Sequence, residues 1–135
     1  MTPDDPVHRI EIPLRFGDLD ALGHVNQAVY HQLLEQARVA LLGAAAGTST
    51  GGFVLARVEL DHRHELRLSD AVAVVEHRLE RLGASSITLA FRVLTREGLL
   101  AAEGRSVTVA WDDRERRSRA LSADERRRID ELLAA

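Results

Sequence analysis

The sequence predicts an α+β protein, an antiparallel five-stranded sheet wrapped around one long central helix, with a short helix at the C-terminus. Three observations carry this reading. Residues 27–42 place apolar side chains at helical spacing. From Phe53 to Trp111 the apolar period changes to two, over four segments. The joints between those segments, Leu-Ser-Asp, Leu-Gly-Ala and Arg-Glu-Gly, are short. Such joints favour antiparallel neighbours, because a parallel crossover needs a dozen or more residues.

The first strand is residues 7–16, VHRIEIPLRF, with His8, Ile10, Ile12 and Leu14 on one face and Arg9, Glu11 and Arg15 opposed. Pro13 cannot donate to a ladder, which assigns this strand to a sheet edge or a bulge. The loop FGDLDALGHVN follows, residues 16–26. The helix then runs from about Gln27 to Leu42, with Val29, Tyr30, Leu33, Leu34, Ala37 and Leu41 on its apolar face. Glu35 and Arg38, three apart, are placed to pair on its surface, and Gly43 is its expected stop. The small, glycine-rich AAAGTSTGG is expected to be a mobile loop. Four strands come next, over Phe53–Glu65, Ala71–Leu82, Ser85–Arg96 and Leu99–Trp111. Ser122 to Leu133 closes the chain as a helix, with Ser122 and Glu125 spaced as a capping box. One helix cannot cover its apolar face alone, so the economical arrangement curls the sheet around it. The sheet then has edges to protect, and a homodimer or homotetramer formed through an edge strand is expected.

The whole chain, residues 1–135, reads as one domain, since its length holds a sizeable core and no internal repeat or linker divides it. Apolar residues make up 45% and charged residues 29%, a composition of folded rather than disordered chains. A net charge of −3 offers no general attraction to nucleic acid or an acidic membrane, and neither is expected as a partner. Cysteine is absent, which excludes disulfides, thiolate nucleophiles and zinc–thiolate sites; lysine is absent too, which excludes a Schiff base. The start, MTPDDPVHRIEIP, lacks the apolar segment of a signal peptide, and no run reaches the roughly 20 apolar residues of a spanning helix. A cytoplasmic protein is the expectation.

The chemistry gathers in FGDLDALGHVN. Asp20 alone reads as an Asx-turn or cap residue, Asn26 as a helix N-cap, and Asp18 as structural. A helix start also offers free amides and about half a positive charge to an oxyanion. Gly23 would let the backbone approach a substrate closely.

The pattern Arg15-x-x-Asp18-x-Asp20-x-x-Gly23-His24-Val25-Asn26-x-x-x-Tyr30, with Glu35-x-Ala37-Arg38, resembles the hotdog-fold acyl-CoA thioesterases of the 4-hydroxybenzoyl-CoA thioesterase type. Leu68-x-Asp70 and Arg81-Leu-Gly-x-Ser-Ser-Ile-Thr-Leu89 look like that family's second half, and the likeness spans residues 7–111. The resemblance implies hydrolysis of an acyl-CoA or acyl-carrier thioester to free acid and thiol. Asp20 would be the nucleophile, or a base on the attacking water. Gly23 and His24 would join it in the catalytic loop, with amides around His24 to Gln27 as the oxyanion site. It further implies a site between protomers, with coenzyme A, part of the substrate, draped over the strands and no cofactor. Two departures stand out: Gln27 occupies a position where the family commonly has asparagine, and His62-Arg-His-Glu-Leu replaces an Arg-Pro turn.

For substrate binding the candidates are Asn26, Gln27, Tyr30, Arg57, Arg63, Ser85 and Ser86. Arginines suit coenzyme A phosphates, Arg81 included, and the serines would meet the pantetheine arm. Each also has a plain reading: Tyr30 as core, the serines as turn chemistry, the arginines as surface charge. His62 and His64 have the spacing of a metal pair without a third ligand in view, and His64-Glu65 does not continue to a zincin motif. Two other functions compete. An enoyl-thioester hydratase or dehydratase would use Asp20 and His24 together, although the Asn-Pro of that type's signature is missing. A non-catalytic acyl-CoA-binding module would hold the thioester without turnover.

Overall fold

Alternation and helical spacing give six strands and two α-helices in a computed structural model of the chain, which describes residues 7–46 and 52–133. They are β1 (His8–Pro13), α1 (Gln27–Ala46), β2 (Phe53–His62), β3 (Val72–Leu82), β4 (Ser86–Leu94), β5 (Leu100–Asp112), the two-residue β6 (Arg117–Ser118) and α2 (Ala123–Leu133). The sheet is antiparallel in the order β1-β3-β4-β5-β2, with β6 added to the far end of β5. Pro13 ends β1, which is an edge strand, so its missing N–H costs the ladder little.

Three expectations about the elements are corrected. The sheet has six strands, because β6 is too short to show a period. The short joint before β3 does not make β2 its neighbour: β2 pairs with β5 at the opposite edge, from Phe53 opposite Ala110 to His62 opposite Ala102. Helix α1 passes Gly43 and continues to Ala46, alanine being the best helix former. The anticipated loop AAAGTSTGG therefore starts as helix, and its residues 47–51 lie outside the described residues.

Helix α1 and the curled sheet share a core in two parts. Tyr30, Leu33, Leu34 and Ala37 pack with Ile12, Leu14, Val75, Phe91 and Val93. Leu41 and Leu42 pack with Ile87, Leu89 and Ala110, and with Ile129 and Leu133 of α2. Leu34, Leu41, Ile87 and Leu89 are fully buried, each worth about 1.5–3 kcal/mol relative to exposure. Gly104 lets β2 lie close on β5, since a Cβ there would sit 1.9 Å from the Glu59 carbonyl oxygen. The capping box of α2 forms as its spacing predicts: the Glu125 amide donates to Ser122 Oγ at 3.0 Å, and the Ser122 amide to Glu125 Oε1 at 2.9 Å. Arg119 donates to the same carboxylate through both terminal nitrogens and, with the Ser122 amide, holds Glu125 down at about 2. The expected Glu35–Arg38 pair is loose: Glu35 stays exposed and Arg38 is 7% exposed, so the two attract without a close ion pair. Among the described residues, no helix is long and apolar enough to cross a membrane.

The connection from β2 to β3 positions the site. The amides of Arg63 and His64 both donate to the Ala101 carbonyl, at 2.7 and 3.1 Å. The chain then crosses the end of the sheet with Leu66 fully buried as its anchor. There the Val25 amide donates to the Leu66 carbonyl at 2.8 Å, and His24 bridges to Arg67. This crossing lays residues 62–67 against the start of α1.

Candidate active site

The loop before α1 is built from its own polar residues. A single 3-10 turn, Phe16–Asp18, is closed by Asp18, which accepts from the Arg15 amide at 2.8 Å and from Arg15 Nη2 at 2.9 Å. Asp18 is 3% exposed, and the hydrogen bonds from Arg15 outweigh its burial and hold its carboxyl below the usual range. It is structural, as its sequence context predicts.

Asp20 holds the next turn. Its Oδ1 accepts from the Leu22 amide at 2.9 Å and the His24 amide at 3.1 Å, while its own amide donates to the His24 carbonyl at 2.8 Å. Gly23 adopts φ +79°, a left-handed conformation that glycine enters without penalty. Asp20 is thus an Asx-type loop closer. Its Oδ2 has no hydrogen-bond partner among the described residues and belongs to a carboxylate that lines a cleft.

That cleft has a volume of about 590 Å³ and brings together Asp20, His24, Gln27, Tyr30, Arg63 and Glu65, with Asn26, His62 and His64 beside them. Asn26 caps α1, its Oδ1 accepting from the Ala28 amide at 3.0 Å. Tyr30 is 3% exposed and meets the edge of the His62 ring at 4.8 Å between centroids, so it is core and wall at once. Burial pushes its hydroxyl up, and a hydrogen bond from the Leu66 backbone opposes this. His24 Nε2 lies 2.6 Å from Glu65 Oε2, and Glu65 Oε1 pairs with Arg67 Nε at 2.8 Å.

The helix-start amides are more committed than the sequence suggests. Those of His24, Val25, Asn26 and Ala28 donate to Asp20, Leu66, Asp18 and Asn26 respectively. The Gln27 amide alone in this run has no partner among the described residues. The start of α1 thus keeps one uncommitted main-chain amide among the described residues, at the helix's positive end beside the cleft that His24 lines.

Not every candidate gathers here. Arg63 lines the cleft but is paired on the surface with Glu103 at 3.2 Å and Asp61 at 3.6 Å. Arg57 lies farther up β2, beside Glu59. Ser85 and Ser86 stand at the β3–β4 turn, where Ser86 is opposite Val109, whereas the cleft borders the His62–Ala102 end of the sheet. Within one chain the serines are remote because they sit at the other end of the strands. No three His, Asp or Glu side chains among the described residues are placed to hold a metal ion. Glu65 is absent from the sequence candidates, because its partner His24 is 41 positions away. The one signal pointing to it is the departure itself, a charged His62-Arg-His-Glu turn in place of Arg-Pro.

Comparison with known proteins agrees with this architecture. Residues 14–133 match the model of the thioesterase-like superfamily. Among solved structures, the chain is similar to a thioesterase of Thermus thermophilus complexed with coenzyme A and Zn, at 34% identity and TM-score 0.85, covering 99% of this chain and 98% of that one. It is also similar to PA2801, a candidate thioesterase of Pseudomonas aeruginosa, at 33% identity and TM-score 0.82, covering 90% and 97%. A candidate acyl-CoA thioesterase of Xanthomonas campestris shares 32% identity at TM-score 0.72, covering 84% and 98%. No curated protein matches the chain significantly.

Proposed function

Because the chain belongs to the thioesterase-like superfamily, we propose that it hydrolyses an acyl-CoA or acyl-carrier thioester to free acid and thiol, with Asp20 as the reacting carboxylate. The observation that carries this is the free Oδ2 of Asp20, held at the start of α1 in one cleft with His24 and the Gln27 amide. The resemblance to the 4-hydroxybenzoyl-CoA thioesterase type, and to a hotdog in which the sheet wraps α1 as its central helix, supports the same reading.

The chemistry follows two routes. Asp20 attacks the carbonyl carbon, the sulfur leaves as thiolate and takes a proton, and water then hydrolyses the anhydride. Alternatively Asp20 removes the proton from a water as that water attacks. In both, charge grows on the carbonyl oxygen. The Gln27 amide and the positive end of α1 oppose that charge; one such donor elsewhere contributes ~10²–10³ in rate. Water and the chain's own side chains suffice, so no cofactor is needed and coenzyme A is only the leaving part of the substrate. His24, held by Glu65, is placed to contact the acyl group or the sulfur. Arg57, Ser85 and Ser86 lie outside the cleft of one chain; coenzyme A reaching them would have to run along the sheet or across a protomer boundary. The outer edge of β2, with Val54 and Leu55 exposed, is the edge through which we expect two chains to pair.

Thiol release from a panel of short, long and aromatic acyl-CoA thioesters tests the reading. Turnover supports the hydrolase. Loss of enoyl absorbance from an enoyl-CoA without thiol release would replace it with the hydratase, in which Asp20 and His24 share the proton transfer. Neither signal, with coenzyme A still raising the melting temperature, would replace it with a binding module.

A further inference from the structure

A second cavity, of about 420 Å³, lies between the C-terminal half of α1 and the strands β2 and β5. Leu42, Phe53 and Leu55 supply apolar wall, and Glu35 stands on its rim. Two polar side chains line it from the interior. Arg38 is 7% exposed, and its Nη1 is fully buried without a hydrogen-bond partner. Thr108 is 3% exposed, and its Oγ1 is likewise buried and unpartnered.

A buried guanidinium nitrogen without a hydrogen-bonded counter-charge is costly. Among the described residues, the carboxylate that acts on Arg38 is Glu35, which opposes the lowering that burial imposes but forms neither an ion pair nor a hydrogen bond with it. Arg38 in turn helps to lower the buried His77. An anion arriving from outside would remove the cost, and the apolar walls fit what would carry it.

We propose that this cavity binds a carboxylate carried on an apolar body, with the Arg38 guanidinium and the Thr108 hydroxyl as its polar partners. Arginine suits this task because its planar donors match a carboxylate in two-point geometry. Two sources share the chemistry. One is a free carboxylic acid, the product class of thioester hydrolysis. The other is the far end of an acyl group that itself ends in a carboxylate. Arg38 lies about 16 Å along α1 from Gln27, at 1.5 Å per residue, so such an acyl group would be long. The second source rests on the hydrolase reading; the binding itself does not.

The test is calorimetric titration of the whole protein with decanoate and, separately, with 1-decanol. Decanoate is expected to bind at least tenfold more tightly than the alcohol, a preference that disappears in Arg38→Met and weakens in Thr108→Val. Unliganded Arg38→Met is expected to melt higher than wild type. Equal affinity for acid and alcohol, absence of acid binding, or a preference that survives Arg38→Met would overturn the proposal. So would dissociation of an oligomer in Arg38→Met with no acid binding to wild type, which would make a second copy of the chain the partner of Arg38. Should the variant fail to fold, the acid–alcohol comparison on wild type still decides. The sources separate by turnover of decanoyl-CoA against its ω-carboxy counterpart. An Arg38-dependent preference of tenfold or more for the latter assigns the substrate; equal turnover with decanoate still bound assigns the free acid.

Discussion

Glu65 holds the His24 imidazole through a 2.6 Å contact and is itself held by Arg67. A side chain fixed from both ends is a positioning device, and misplacement by about 1 Å can cost ~10²-fold in rate. Glu65→Ala is therefore expected to lower kcat about tenfold or more. Glu65→Gln, which keeps an acceptor at the same reach, should retain most of it. Equal turnover by Glu65→Ala and wild type would show that the contact is structural only. His77 offers a prediction on stability. Burial first, then Arg38 and His8, push it down from 6.5 to about 3, and neither ring nitrogen has a hydrogen-bond partner. Between those values the unfolded chain binds the proton and the folded one does not, so stability falls as pH falls from 6.5 toward 3. Glu125 adds its own loss only below its ordinary 4.5, on the way to about 2. Between 6.5 and 4.5 two histidines act with the same sign, His77 and His8, which burial also lowers. His77→Leu should reduce the slope of the melting temperature there, and an unchanged slope would contradict the assignment.

At the scale of elements, period and turn chemistry were legible where the physics is local. Asn26 as cap, Ser122 and Glu125 as capping box, Pro13 at an edge and the alternation of β3 to β5 all follow from residues within a few positions of one another. The place of β2 was not legible, because joint length says nothing about a chain that crosses the end of a sheet. The buried Leu66, set in the charged run His62-Arg-His-Glu-Leu-Arg, is the anchor that makes the crossing stable. Asp20, Gly23 and His24 could be read from one loop, whereas Glu65 depends on that crossing. The β2–β5 contact is itself testable. A methyl group on Gly104 would meet the Glu59 carbonyl carbon at 2.8 Å and Phe91 Cζ at 3.0 Å, so backbone would have to move. Gly104→Ala is expected to destabilise by about 1–3 kcal/mol, read by denaturant titration; a change within about 0.5 kcal/mol, ordinary for a surface site, would contradict this packing.

For the whole molecule, the residues join into one sequence of dependence. The core under α1 fixes the helix, the helix start and the β2–β3 crossing fix the cleft, and the cleft is lined by Asp20, whose Oδ2 has no hydrogen-bond partner among the described residues. Assembly should complete it. Leu55 is 44% exposed on the free edge of β2, where an added charge blunts pairing. Leu55→Arg is expected to lower the mass in light scattering to that of one chain, and an unchanged mass would move the interface elsewhere. The central claim is that Asp20 carries the chemistry. The direct measurement is the steady-state rate of thiol release by Asp20→Asn beside wild type on the best acyl-CoA, with melting temperature and mass recorded for both. A fall of about 10² or more in kcat with fold and assembly intact is the expected result, in line with what positioned acid–base groups contribute. Turnover at the wild-type rate would contradict the account and remove Asp20 from the mechanism.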